Sequence, residues 1–252
     1  MWQPRGVRLS PIAAKPPELQ MRVDAAAEDL GPAFRRLAGM DAALVERLGA
    51  LAKAIRERQP GFADAVDRLV ARLRETGAGI CAPWPGEPMP PFHLPDEAGR
   101  VVSLDRLLMW GPVVLAFQGG HWCGFSRISL DALAHAQEEI GAEGGQVVAI
   151  MPDRQPFASE LKTAENVPFP ILTDIDNGYA LSLNLAIWPG AEMQGILEGA
   201  QDLPRFQGND LWMWPIAATF VVGRDGLIKA RFVDPDFRTR MAISDLVAAL
   251  RS

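Results

Sequence analysis

The residues best placed for chemistry lie in one segment, Phe117-Gln118-Gly119-Gly120-His121-Trp122-Cys123-Gly124-Phe125-Ser126. The apolar run Val113–Phe117 reads as a buried strand, the glycine pair permits a tight turn, and a helix is expected to begin at about Cys123. A thiol there sits over unpaired backbone N–H groups and the positive end of a helix dipole. Both favour the thiolate, the form that attacks peroxides and disulfides. His121, just before the Trp-Cys pair, could add positive charge or accept the thiol proton. Taken alone, a cysteine after an apolar strand is more often an inert buried residue. The glycine turn and the Trp-Cys pair ahead of a helix reverse that reading.

Other chemistries find little support. His93, His121 and His135 are the only histidines, and His121 with Cys123 supplies just two ligands at close spacing, so no metal centre is expected. No phosphate-cradling glycine loop and no dinucleotide fingerprint opens a helix, so no cofactor is expected. Cys81 and Cys123 are too few for a disulfide framework and fit a reducing compartment. Cys81 is a weak candidate for a resolving thiol, since a bridge needs Cα atoms within roughly 7 Å. A structural cysteine is the expectation there.

The elements that must position Cys123 follow from periodicity. Leu44, Leu48, Leu51 and Ile55 share one helical face; Phe62, Val66, Leu69, Val70 and Leu73 repeat it after the break at Pro60-Gly61. An earlier helix is expected over Val23 to Leu37. The organisation expected is a flexible arm over residues 1–20, a helical extension over 21–78 with a structural or dimerisation role, and an α/β domain over 79–252. A linker with Pro83, Pro85, Pro88, Pro90 and Pro91 opens the domain. Strands are then expected at Val113–Phe117, Val147–Met151 and Phe169–Leu172, and a helix marked by Ile128, Leu133 and Ile140 between the first two. Gly223-Arg224-Asp225-Gly226 separates Thr219–Val222 from Leu227–Val233 as a hairpin, and Ile243, Leu246, Val247 and Leu250 mark a final helix. This order predicts a mixed sheet covered by helices on both faces. Trp188, Trp212 and Trp214 fall in or beside an expected long loop between Ile187 and Pro215.

The 252 residues carry a net charge of −6, 48% hydrophobic and 22% charged residues, as a folded globular chain does. An acidic chain lacks the footprint of a nucleic-acid binder. No apolar stretch approaches a membrane span. Met1 to Pro17 has four prolines and no apolar core like that of a secretion signal, so a cytoplasmic location is expected.

Trp122-Cys123-Gly124-Phe125-Ser126 resembles the Trp-Cys-x-x-Cys motif of thioredoxins and of the peroxiredoxin-like (alkyl hydroperoxide reductase/thiol-specific antioxidant) family. Further segments resemble that family in the same order: Pro90-Pro91-Phe92-His93-Leu94-Pro95, Val167-Pro168-Phe169-Pro170-Ile171-Leu172-Thr173-Asp174, Ala218–Gly226 and Phe232-Val233-Asp234-Pro235-Asp236. The resemblance covers about residues 80–251 and implies a thioredoxin fold, a central mixed β-sheet flanked by helices, here with an N-terminal helical extension. It also implies that Pro215 is a cis-proline facing Cys123. Two positions depart from the pattern. Ser126 stands where most relatives have a second cysteine, and Gly119 where many have an arginine; Arg127 could compensate for the latter.

The activity implied is thiol-dependent peroxide reduction. Cys123 would attack a hydroperoxide and become a sulfenic acid, to be reduced by glutathione or a thioredoxin-type protein. His121 and Ser126 would assist the thiolate, Ser126 by a hydrogen bond to sulfur or by capping the helix. Trp122, Gly124, Phe125, Trp214 and Pro215 would shape the pocket. Alternatives are a monothiol disulfide exchanger, and a redox-inactive binding or scaffold protein of the same fold. A homodimer is a further expectation.

Overall fold

The computed structural model describes Leu37, Met40, residues 42–198 and residues 201–251. The expected arm over residues 1–20 and, but for Leu37, the helix over 23–37 lie outside the described residues. Helices α1 (Leu44–Arg58) and α2 (Pro60–Glu75) follow. Pro60 suits the first position of α2, where its missing N–H has no helical partner to lose. The two apolar stripes are buried, with Leu48, Leu51, Val66, Leu69 and Val70 each under 5% exposed.

A short hairpin, β1 (His93–Pro95) with β2 (Val101–Ser103), leads through α3 (Leu104–Leu108) into β3 (Val113–Phe117). Next come α4 (Gly124–His135), α5 (Gln137–Ala142), β4 (Gln146–Met151), α6 (Gln155–Ala164) and β5 (Ile171–Thr173). Helix α7 (Gly178–Ser182) and strand β6 (Ala186–Ile187) precede the stretch expected as loop, which instead holds α8 (Ala191–Glu198) and α9 (Leu203–Gln207). Strands β7 (Trp214–Pro215), β8 (Ala217–Val222) and β9 (Ile228–Asp234), then α10 (Ile243–Leu250), complete the order.

The main sheet has the order β5-β4-β3-β8-β9, parallel on the β5–β4–β3 side and antiparallel from β3 through β8 to β9. Its central strand β3 is buried on both faces, which is why Val113–Phe117 reads as a continuous apolar run. Val113, Leu115 and Phe117 pack with Phe92, Leu104 and Tyr179 on one side. Val114 and Ala116 pack with Leu130, Ile140, Leu161 and Leu246, from α4, α5, α6 and α10, on the other. The expected mixed sheet with helices on both faces is therefore present.

The proline-rich segment covers the β9 edge. Gly86 N–H donates to the Ile228 carbonyl at 2.9 Å, Ile228 N–H to the Glu87 carbonyl at 3.0 Å, and Arg231 lies over the Trp84 ring at 4.0 Å. An edge strand left open would invite pairing with another chain, and this segment occupies it.

The extension packs on the helix that carries the cysteine. Its stripes share one apolar cluster with Cys123, Phe125, Ile128 and Ala132 of the α4 region and with Met193, Leu197, Trp214 and Phe237. Burying each large aliphatic side chain there contributes roughly 1.5–3 kcal/mol. The buried pair Arg47–Asp131 at 2.5 Å ties α1 to α4.

Candidate active site

β3 ends at Phe117, and the chain must then turn sharply to start α4. Gly120 makes the turn at φ +117°, a conformation open to glycine at little cost, and a Cβ there would come 2.5 Å from Asp153 Oδ1. Cys123 N–H donates to the Gly120 carbonyl at 3.1 Å, closing the turn. Cys123 is the N-cap residue of α4, with extended backbone at φ −95° and ψ 108°. Its carbonyl already accepts the first helical bond, from Arg127 N–H at 3.1 Å. The residue thus stands at the start of the first turn, where backbone N–H groups lack helical partners, although its sulfur makes no capping hydrogen bond.

Cys123 is 4% exposed and lines a narrow cavity of about 10 Å³. The cavity is lined by Phe117, Gly119, Trp122, Cys123, Ser126, Trp214, Pro215, Ala217, Phe237 and Arg240. Trp122 and Trp214 meet edge to face with centroids 5.1 Å apart, and the Trp122 Nε1–H donates to the Gly119 carbonyl at 2.8 Å. Of the expected pocket residues, Trp122, Trp214 and Pro215 are brought together around Cys123. Phe125 is outside the lining, packed edge to face on Phe237 at 5.7 Å and among the side chains of the extension. Gly124 opens α4 but does not line the cavity.

Three expectations are corrected. Pro215 is not preceded by a cis bond: no described peptide is cis, and Pro215 lines the cavity from β7, paired with Ala186 of β6. Ser126 lines the cavity but neither caps α4 nor bonds the sulfur. It is fully buried in the first turn of the helix, and its Oγ accepts the Gly119 N–H at 3.0 Å, satisfying a donor the turn would otherwise strand. Arg127 does not compensate for the absent arginine, because it pairs with Glu165 at 2.5 Å and lies outside the cavity lining.

His121 is sequestered. Its ring stacks on Phe206 at 5.0 Å and meets Phe157 at 6.5 Å, outside the residues that line the Cys123 cavity. Burial, then the Arg127 charge, pushes its pKa below the ordinary value, so at neutral pH the ring is an uncharged aromatic. Its backbone does more: His121 N–H donates to Asp153 Oδ2 at 2.5 Å, which fixes the turn to the end of β4.

The sequence reading missed Arg240. It is half-buried in the turn between β9 and α10, with Nη1 donating to the Phe237 and Thr239 carbonyls, both at 2.6 Å. Its Nε is sealed from solvent and has no hydrogen-bond partner. Burial pushes its pKa down, while Cys123 and Asp236 oppose the shift. A guanidinium thus lines the Cys123 cavity from the turn after β9. Only a contact in space signals it.

Asp153, also missed, is completely buried with Oδ1 unpartnered, and burial raises its carboxyl to about 7 against the single His121 N–H bond. A carboxyl with a raised native pKa binds a proton that the unfolded chain releases. Its contribution to stability is full at low pH and declines as pH rises toward 7. We therefore expect wild-type stability to fall between pH 5 and about 7.5 by more than that of Asp153→Asn, as read from urea midpoints. Parallel curves would remove Asp153 as the titrating group.

The AhpC/TSA family profile matches residues 85–231. This chain belongs to the AhpC/TSA family. No curated protein matches it significantly. Among solved structures, peroxidoxin BcpB from Mycobacterium tuberculosis is 20% identical with a TM-score of 0.51, covering 66% of this chain and 96% of its own. A mutant of peroxiredoxin 6 from Arenicola marina is 16% identical with a TM-score of 0.52, covering 67% and 72%. A yeast mitochondrial 1-Cys peroxiredoxin is 14% identical with a TM-score of 0.51, covering 66% and 73%. The α/β thioredoxin fold of the peroxiredoxins is thus shared, and the AhpC/TSA member described here is of the peroxidase-type oxidoreductase class. Both described helices of the extension lie outside the matched segment. Among the described residues no helix is long and apolar enough to cross a membrane, and no group of three or more His, Cys, Asp or Glu could hold a metal ion.

Proposed function

We propose that the protein reduces hydroperoxides through Cys123 alone and is recycled by an external thiol. The observation that carries this reading is the pairing of Cys123 at the N-cap of α4 with Arg240, whose buried Nε–H is unpartnered, in the same narrow cavity. The thiolate attacks the distal peroxide oxygen. An S–O bond forms, the O–O bond breaks, sulfur is oxidised and the leaving oxygen is reduced. Negative charge moves onto that oxygen, where a preorganised cation acts most strongly in a dry site. The leaving oxygen takes a proton to become water or an alcohol, and Cys123 is left as sulfenic acid. One external thiol then condenses with it, releasing water and forming a mixed disulfide. A second thiol displaces the first and restores Cys123.

Ser126 holds the turn, through Gly119 N–H, and His121 holds it through the backbone bond to Asp153. Cys81 is a free, exposed thiol that does not line the cavity, which favours an external reductant over an internal partner. The yeast relative is described as resolving its thiol via glutathione/thioredoxin systems, and we carry that reductant class over to this chain.

One equivalent of hydrogen peroxide followed by dimedone should give a single adduct at Cys123 by intact and peptide mass. Glutathione in place of dimedone should give one mixed disulfide. A Cys81–Cys123 bridge in the peroxide-treated protein would replace the one-cysteine scheme by a two-cysteine one.

A further inference from the structure

One wall of the Cys123 cavity is the turn over residues 235–240, which carries Phe237 and Arg240. That turn is held from inside and from outside. Arg238 forks onto Asp236, with Nε and Nη2 at 2.7 and 2.9 Å, and its Nη1 reaches Asp67 of α2 at 2.6 Å. Arg74 of α2 adds a contact to Asp234 at 3.3 Å. Phe237 is pinned on Phe125, itself packed into the extension. The Asp236 bond, then Asp67, raises Arg238 above the ordinary arginine range, in keeping with a guanidinium shared by two carboxylates. An exposed ion pair alone holds a loop weakly, but here a fork and an apolar anchor act on the same short turn.

The space so narrowed is about 10 Å³, room for roughly one water-sized group beside the sulfur. In-line attack requires the leaving oxygen, and whatever it carries, to lie just beyond the oxygen attacked. Hydrogen peroxide carries only hydrogen there. A tertiary alkyl or aryl carbon would have to displace Phe237, Trp122 or Trp214.

We propose that the 235–240 turn, clamped by helix α2 of the extension, is a size filter that makes hydrogen peroxide the substrate and excludes bulky organic hydroperoxides. The proposal rests on Cys123 being the peroxide-reactive thiol. The filter works on the reaction already balanced above, by limiting which leaving group fits. Asp67 and Arg238 act as positioning residues, and Phe237 sets the size.

The test is the rate of Cys123 oxidation in the full chain with hydrogen peroxide, tert-butyl hydroperoxide and cumene hydroperoxide, each divided by its rate with free cysteine. We expect the normalised preference for hydrogen peroxide over cumene hydroperoxide to be roughly 100-fold, in the range a misfit of a few carbon atoms produces in a tight pocket. Phe237→Ala should reduce that ratio at least tenfold. Asp67→Asn, an exposed change that leaves the core intact, should reduce it about threefold, and Asp67→Glu should restore it. A wild-type ratio near one overturns the filter and leaves the peroxidase reading standing, and so does a ratio that neither Phe237→Ala nor Asp67→Asn moves. If no peroxide oxidises Cys123 faster than free cysteine, the peroxidase reading falls and the filter with it.

Discussion

Replacing Arg240 with Met is expected to slow oxidation of Cys123 by hydrogen peroxide about 100- to 1000-fold, the cost of losing one preorganised charge-stabilising donor. The argument starts from an unusual arrangement. The guanidinium is bonded only to the Phe237 and Thr239 carbonyls, its buried Nε has no partner, and the cavity beside it contains the thiol. Taking a cation out of water costs free energy unless an anion or a full set of acceptors compensates. In the resting protein the compensation is partial, so the site is arranged to receive negative charge, first the thiolate and then the oxygen leaving the peroxide. Methionine fills a similar volume without charge and removes that desolvation cost, so stability should stay the same or rise. A large loss of rate in a protein whose urea midpoint has not fallen would place the effect in the chemistry. Arg240→Lys, with a compact charge, should recover only part of the rate. Oxidation of Arg240→Met at the wild-type rate would mean that the cation serves the turn and not the sulfur.

The second large effect is expected from Ser126→Cys. Ser126 lines the same cavity as Cys123, in the first turn of α4, so a sulfur there stands next to the reactive one. Oxidation should then give a reversible disulfide between Cys123 and the introduced thiol in place of the stable sulfenic acid, and turnover with a thioredoxin-type reductant should rise. From sequence alone the exchange reads as nearly neutral, since serine and cysteine are close in size. The structure adds a cost: Ser126 Oγ is the acceptor for the buried Gly119 N–H, and a thiol is a much weaker one. A loss of about 1 kcal/mol is expected, the usual worth of one buried hydrogen bond, measured by urea unfolding of the reduced variant. Two thiols that stay free under oxidant in a folded variant would show that the turn does not bring the two positions together.

These outcomes depend on features that differ in how readable they are from the chain. The buried strand, glycine turn and helix around Cys123 are legible because local sequence dictates them: an unbroken apolar run, a residue at positive φ in Gly120, then an N-cap. The Gly223–Gly226 hairpin between β8 and β9 is legible for the same reason. Arg240 and Asp153 are not. Each meets the site only through folding, Arg240 from the turn after β9 and Asp153 from the end of β4, and neither belongs to a local pattern that marks it. The segment between Ile187 and Pro215 reads as loop, yet it forms two short helices. Met193 and Leu197 fix one against the extension, and Leu203 anchors the other, so tertiary packing decides there. Spacing puts Ser126 beside Cys123 but does not reveal its partner, since side-chain direction within a turn does not follow from spacing.

The central claim is that Cys123 is the thiol that meets the peroxide, and stopped-flow fluorescence tests it most directly. Trp122 and Trp214 both line the Cys123 cavity, so oxidation of the sulfur should change their emission. Mixing the reduced protein with hydrogen peroxide should give a fluorescence phase whose rate rises linearly with peroxide and far exceeds that of free cysteine. Cys123→Ser should lack this phase, and Cys81→Ser should keep it. A phase that survives in Cys123→Ser, or a wild-type rate no faster than free cysteine, would contradict the account.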